Sequence, residues 1–146
     1  MAIPSHLTFE LVTPDHGVVT EQVDEVELPG AEGYLGVPPG HTPLLVQLDV
    51  GELWYRKGQQ KTYVSVAFGL AEILPDRVTI LARQAELPEE IDAVRAEAER
   101  QKALSDMARP HATQQDIEKA RIAMLRALSQ LQVVCLLYTS PSPRDS

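Results

Sequence analysis

The stretch Leu28–Leu48, LPGAEGYLGVPPGHTPLLVQL, constrains this chain more than any other. It packs four glycines, four prolines and one histidine into 21 residues. Pro29, Pro38, Pro39 and Pro43 fix φ and remove backbone donors, and the interspersed glycines open conformations that other residues avoid. Such a run forms neither a helix nor a plain central strand. It reads as tight turns and short extended pieces with hydrophobic strands on either side.

The flanks support a β domain. Leu7, Phe9 and Leu11 alternate with Thr8, Glu10 and Val12, a period-2 strand pattern. Thr13-Pro14-Asp15-His16-Gly17 stops it. Val18, Val19, Val23, Val26 and Leu28 give the next extended region, and the three-residue step from Val23 to Val26 predicts a bulge or corner. Beyond the Gly/Pro stretch, Asp49-Val50-Gly51-Glu52 reads as a turn. Leu53–Arg56 begins a strand, Lys57–Gln60 is a hairpin loop, and Lys61–Phe68 returns with Val64, Val66 and Phe68 on the core face. Gly69 permits a bulge before Leu70–Leu74. Pro75-Asp76 turns the chain, and Val78–Ala82 closes the domain. Short strands separated by hairpin signals predict a β-sandwich or barrel.

Character changes near Leu87-Pro88. All eight glycines lie at or before Gly69, and residues 1–87 hold five Lys/Arg against 12 Asp/Glu. Residues 88–134 hold seven against eight and are rich in alanine. Pro88 suits a first helical turn, with Glu89, Glu90 and Asp92 at the positive helix end. Ile91, Val94, Ala98, Leu104, Met107 and Ala108 form one stripe. Arg109-Pro110-His111 breaks the helix. Thr113 with Asp116 resembles a capping box for a second helix, whose stripe is Ile117, Ala120, Met124, Ala127, Leu128 and Leu131. The predicted fold is therefore an all-β sandwich over 1–87 and an antiparallel α-helical hairpin over 88–134. Its thin, alanine-rich stripes bury little apolar area, so the hairpin is expected to be weakly held. Helical patterning ends at Val134. Residues 135–146, beginning CLLYTS, lack periodicity and resemble the translated end of a sequencing adapter, a tail foreign to the natural chain.

Several function classes are disfavoured. A net charge of −8 argues against binding nucleic acid or an anionic membrane by bulk charge. The single Cys135 excludes a disulfide framework and a cysteine metal site. No apolar run approaches the ~20 residues of a membrane span, and the first residues lack secretory features, so a cytosolic or partner-bound location is expected. No metal-ligand spacing, nucleophile motif, GxGxxG or P-loop is present, so no catalytic residues and no metal are assigned. His41 reads as a histidine bonded to turn backbone.

The matching positions Leu28, Pro29, Gly30, Gly33, Gly36, Val37, Pro39, Gly40, His41, Pro43, Leu44 and Leu45 resemble the hallmark of the epsilon subunits of F-type ATP synthases, called delta in mitochondria. The resemblance spans residues 4–134. It implies a non-catalytic rotor subunit in the central stalk of the F1 sector, coupling proton flow to ATP synthesis and regulating ATP hydrolysis. Implied partners are the gamma subunit, the c-subunit ring and, through extended C-terminal helices, the alpha and beta subunits. The implied location is peripheral, on the cytoplasmic face of a bacterial inner membrane. The family places the Gly/Pro edge near the rotor, which makes Tyr34, His41 and Thr42 interface candidates. Arg121 and Arg126 are candidates for pairing with acidic catalytic subunits. Ile91-Asp92-Ala93-Val94-Arg95-Ala96 also resembles the I/L-D-x-x-R-A motif with which bacterial epsilon subunits bind ATP. Glu86, Lys102 and Arg126 fall at further positions of that site, and Gln130 stands where a second Arg is usual. No cofactor is required, and regulatory ATP is the expected ligand. The alternatives are a stand-alone nucleotide-sensing module and an unrelated β-sandwich scaffold.

Overall fold

The computed structural model describes residues 3–15 and 17–139. Seven strands come first: β1 Leu7–Val12, β2 Gly17–Val23, β3 Glu25–Gly30, β4 Gly33–Val37, β5 Leu44–Lys57, β6 Gln60–Leu74 and β7 Arg77–Glu86. A 3-10 turn at Pro88–Glu90 leads into helices α1, Ala93–Met107, and α2, Gln114–Thr139. The strands are ordered β2-β1-β7-β6-β5-β3-β4, all antiparallel except the parallel pair β1·β7.

This hydrogen-bonded sheet folds over on itself into a β-sandwich. Leu7, Phe9 and Leu11 of β1 are fully buried, as their alternation predicts. They join Leu28, Val37, Leu53, Val64, Ile73 and Ile80 in one core drawn from both ends of the sheet. Across the layers the Phe9 and Tyr55 rings lie 4.9 Å apart, tilted by 33°. The chain breaks at Asp24, between the buried Val23 and Val26, where the lost alternation calls for a corner.

The sandwich turns its main corner inside β5 and β6. Asp49–Glu52, expected to be a turn, instead lies within the 14-residue strand β5. Leu48 faces the core on one side of it and Gly51, Leu53 and Tyr55 on the other, so the buried face changes parity. Opposite, Phe68 and Gly69 have φ of 61° and 134°, yet the β5·β6 register is the same before and after them. The ribbon bends as a unit instead of ending, as strands do when they pass between packed layers. Phe68, expected in the core, is left half-buried by that bend, and Ala71 and Ile73 take up the core face. Glycine is required at both sides of the corner. A Cβ on Gly69 would sit 2.1 Å from the Leu81 carbonyl oxygen, and one on Gly51 2.7 Å from the Tyr34 hydroxyl.

The helical part differs from its sequence pattern in three respects. Pro88 does open a helical turn, but only of 3-10 type, and α1 starts at Ala93 after an N-cap by Asp92. The seam between the helices is built from Ala96 and Ala103 on α1 and Ala120 and Ala127 on α2, all buried. The expected stripe residues Val94, Leu104, Ile117 and Leu128 are 82%, 54%, 41% and 45% exposed. Methyl groups let the two axes approach closely, and larger side chains turn outward. Finally, α2 does not end at Val134 but continues to Thr139. Residues 140–146 of the tail lie outside the described residues. The capping box is as expected: the Asp116 N–H donates to Thr113 Oγ1 at 3.0 Å and the Thr113 N–H to Asp116 Oδ2 at 3.2 Å.

The hairpin is folded down. α2 lies on β5 and β6, and α1 packs mainly on α2. The contact is polar at its centre, where Ser129 Oγ meets Ser65 Oγ at 2.9 Å with both side chains buried.

Candidate functional site

Where the hairpin meets the end of β7, a cleft of about 300 Å³ opens. Its sheet side is Thr13, Asp15 and Arg83–Glu86; its helical side is Glu90, Asp92, Arg95, Ala96 and Glu99 around α1, and Arg126 and Gln130 on α2. Thus Glu86, Asp92, Arg95 and Arg126, spread over some 40 positions of sequence, line one cavity.

Each has a definite state. The Glu86 carboxylate accepts a hydrogen bond from the Gln130 amide. Asp92 Oδ1 accepts the Arg95 N–H at 3.1 Å, so this carboxylate already serves as a helix cap. The Arg95 guanidinium is 77% exposed and is held by Glu99, Nε to Oε1 3.0 Å. Glu90 likewise accepts the Leu87 N–H at 2.8 Å. Arg126 has no ion-pair or hydrogen-bonding partner among the described residues. Lys102 does not line the cleft. It lies on the exposed side of α1, with Nζ 3.0 Å from Asp106 Oδ2.

The sequence reading missed Thr13, Asp15, Arg83, Glu90 and Glu99 as lining residues. Arg83 had one available signal: it is among only five basic residues of an acidic domain and stands three positions before Glu86. Nothing local marks Thr13 or Asp15, which reach the cleft only because β1 pairs with β7.

The other candidates lie elsewhere. Tyr34 is 57% exposed on β4, and its hydroxyl accepts the Glu52 N–H at 3.4 Å. It borders a groove of about 560 Å³ that also includes the exposed Leu44 and Leu45. His41 donates from Nδ1 to the Thr42 carbonyl at 2.7 Å, a bond to turn backbone. Arg121 is exposed on α2 and pairs with Glu118 at 2.6 Å. Among the described residues no cluster of His, Cys, Asp or Glu has a metal-holding arrangement, and no helix is long and apolar enough to cross a membrane.

Both parts of the chain match known families. Residues 6–88 match the beta-sandwich domain of the ATP synthase delta/epsilon chain, and residues 89–134 match its long alpha-helix domain. The chain belongs to the ATP synthase delta/epsilon family. The ATP synthase epsilon chain of Syntrophobacter fumaroxidans is 45% identical over 127 residues, covering 87% of this chain and 94% of that protein. That of Solibacter usitatus is 43% identical over 129 residues, covering 88% and 96%. In shape the chain is similar to one in the cryo-EM structure of the Euglena gracilis mitochondrial ATP synthase, with a TM-score of 0.81 at 23% identity, covering 92% of this chain and 84% of that one.

Proposed function

We propose that this chain is the epsilon subunit of a bacterial F1 sector, a rotor component of the central stalk that catalyses nothing itself. The carrying observation is that a delta/epsilon β-sandwich and helical hairpin occur in order along one chain, with α2 of the hairpin lying on β5 and β6. On this reading the sandwich is the fixed part. Its exposed Tyr34, Leu44 and Leu45 face the gamma subunit and the c-subunit ring, with His41 and Thr42 at the same edge. The hairpin is the mobile part. Released, it extends toward the alpha and beta subunits, where Arg121 and Arg126 meet acidic surface and hydrolysis slows. On the same reading the chain sits peripherally on the cytoplasmic face of the inner membrane.

A nucleotide in the cleft favours the docked state. The cleft is walled by sheet on one side and hairpin on the other, so a ligand filling it binds the docked form better and shifts the equilibrium toward it. ATP is the ligand the residue set suits: guanidinium forks for phosphate oxygens and carboxylates for hydroxyl or amino donors. Reconstitution of F1 with and without the full chain tests both parts. The chain is expected to co-purify with gamma and to lower hydrolysis, and truncation after Leu87 to restore hydrolysis while assembly persists. Failure to retain gamma defeats the stalk reading. Unchanged hydrolysis on truncation defeats the regulatory one.

A further inference from the structure

We propose that Arg83 is a phosphate-binding residue of the cleft and that it forms, with Arg126, the clamp that receives the phosphate end of the nucleotide. This inference rests on the nucleotide reading above and names residues within that site.

Three guanidinium groups line the cleft, one from each wall element: Arg83 on β7, Arg95 on α1 and Arg126 on α2. They are not equivalent. Arg95 is mostly exposed and already neutralised by Glu99 at 3.0 Å, so a phosphate must displace a carboxylate to use it. Arg83 and Arg126 have no hydrogen-bonding or ion-pair partner among the described residues. That is notable in a chain of net charge −8, where Arg56, Arg100 and Arg121 each hold a carboxylate within 3.3 Å.

The acidic groups of the cleft are mostly occupied. Glu90 is bonded to the Leu87 N–H, Asp92 to the Arg95 N–H, Glu99 to the Arg95 side chain and Glu86 to Gln130. The Gln130 contact matters most. Glu86 lies three residues after Arg83 on β7 and Gln130 four residues after Arg126 on α2. The amide engages this carboxylate, and neither arginine forms an ion pair with it or with Asp15, the remaining acidic residue of the lining. A guanidinium presents donors in a planar fork that matches phosphate oxygens two at a time. Two such forks, one on the sheet and one on the hairpin, bind a polyanion only while the hairpin is down. Adenosine, which lacks the anion, gains nothing from them.

Isothermal titration calorimetry on the full chain decides the matter, with ATP, ADP and adenosine as probes. Arg83→Ala is expected to weaken ATP at least tenfold, the scale of one charge-assisted hydrogen bond, and to leave adenosine unchanged. Arg95→Ala is expected to weaken ATP less. Arg83→Lys, which keeps the charge without the fork, falls between. Arg83 is exposed, so the melting temperature without nucleotide should not move in either variant. Wild-type affinity for ATP in both Arg83 variants overturns the assignment while leaving the nucleotide site standing, as does an equal loss for ATP and adenosine. No heat from the wild type at millimolar ATP overturns both.

Discussion

Two consecutive residues of α2, Ser129 and Gln130, hydrogen-bond to the sheet, and Ser129→Ala should loosen the hairpin measurably. Ser129 is 3% exposed and Ser65, its partner on β6, 7%. The Ser129 hydroxyl also faces the Glu52 carboxyl group, whose pKa it lowers against the larger effect of burial. Glu52, Ser65 and Glu86 are register partners across β5, β6 and β7, and Gln130 holds the third of them. Two consecutive helix residues therefore bind a row of three strands. Removing the Ser129 oxygen deletes the hydrogen bond to Ser65, leaves that buried hydroxyl without its partner, and withdraws the hydroxyl that faces the half-buried Glu52 carboxyl group. Each orphaned group costs about 1–3 kcal/mol when fully desolvated, and partial exposure of Glu52 lowers its share, so about 2 kcal/mol is expected. Since 1.4 kcal/mol is about a factor of ten, the undocked population should rise roughly 10- to 30-fold. Native-state hydrogen exchange reads this directly. Amides of α2 should lose protection and those of β7 should not. Ser65→Ala alone should cost less, because Ser129 still serves Glu52. The double variant should cost less than the sum by about 1 kcal/mol, the coupling of one buried pair. Unchanged α2 protection in Ser129→Ala would refute the latch. An equal loss in α2 and β7 would show that the variant weakens the whole fold instead.

Three further outcomes are expected. Burial beneath α2 raises the Glu52 pKa, with the Ser129 bond opposing it only in part. The stability contribution of this group is therefore complete below its ordinary pKa and lost as pH rises through the raised one, so docking should weaken from acid toward neutral pH. Urea midpoints between pH 4 and 8 should show a slope that Glu52→Gln reduces, and an unaltered slope in that variant removes Glu52 from the account. Gly69→Ala places a methyl 2.1 Å from the Leu81 carbonyl oxygen at φ 134°, and backbone strain plus forced separation of β6 from β7 should cost about 2–5 kcal/mol in urea unfolding. A loss below 1 kcal/mol would show that the corner is looser than the geometry implies. Thr113→Ala should destabilise by about 1 kcal/mol through loss of the α2 cap. The Asp116 pKa, lowered first by the Thr113 N–H and then by its hydroxyl, should rise part-way in an NMR titration, and no rise would mean the hydroxyl bond is absent in solution.

What the sequence revealed and what it hid divide along the range of the interactions. The β1 alternation, the corner at Asp24 and the Thr113–Asp116 box are written in residues within a few positions of each other, and each formed. The bend in β5 reads as a turn in sequence because Asp49-Val50-Gly51-Glu52 has turn chemistry. Gly51 is needed there for a different reason: Pro29 and Tyr34, two strands' worth of chain away, occupy the space of a side chain. The helical stripe failed for a related reason. Periodicity favours the largest apolar residues, whereas the α1–α2 spacing selects alanine and sends Val94 and Leu104 outward. Of the cleft residues, Asp92 and Arg95 stand in a motif and Arg126 at a further position of the same resemblance. Arg83 belongs to no motif and became visible only when the sheet end and the hairpin were placed together. Lys102 satisfied the spacing but points away.

The latch and the cleft share one stretch of α2, which couples them. Arg126 and Gln130 are one helical turn apart and line the cleft; Ser129, beside Gln130, holds the sheet. Docking must therefore bring all three down together, and α1 follows because its alanine seam leaves it little else to pack on. A ligand that binds only the docked form stabilises it by RT ln(1 + [L]/Kd), about 2.7 kcal/mol at a hundredfold excess over Kd. That is close to the roughly 2 kcal/mol assigned to the Ser129 contacts. Neither element is then large enough to make the other irrelevant. On the proposed nucleotide reading, saturating nucleotide compensates for loss of the latch. On the same proposed reading reciprocity follows: Ser129→Ala, a substitution outside the proposed clamp, weakens apparent nucleotide affinity to the extent that it depopulates the docked state.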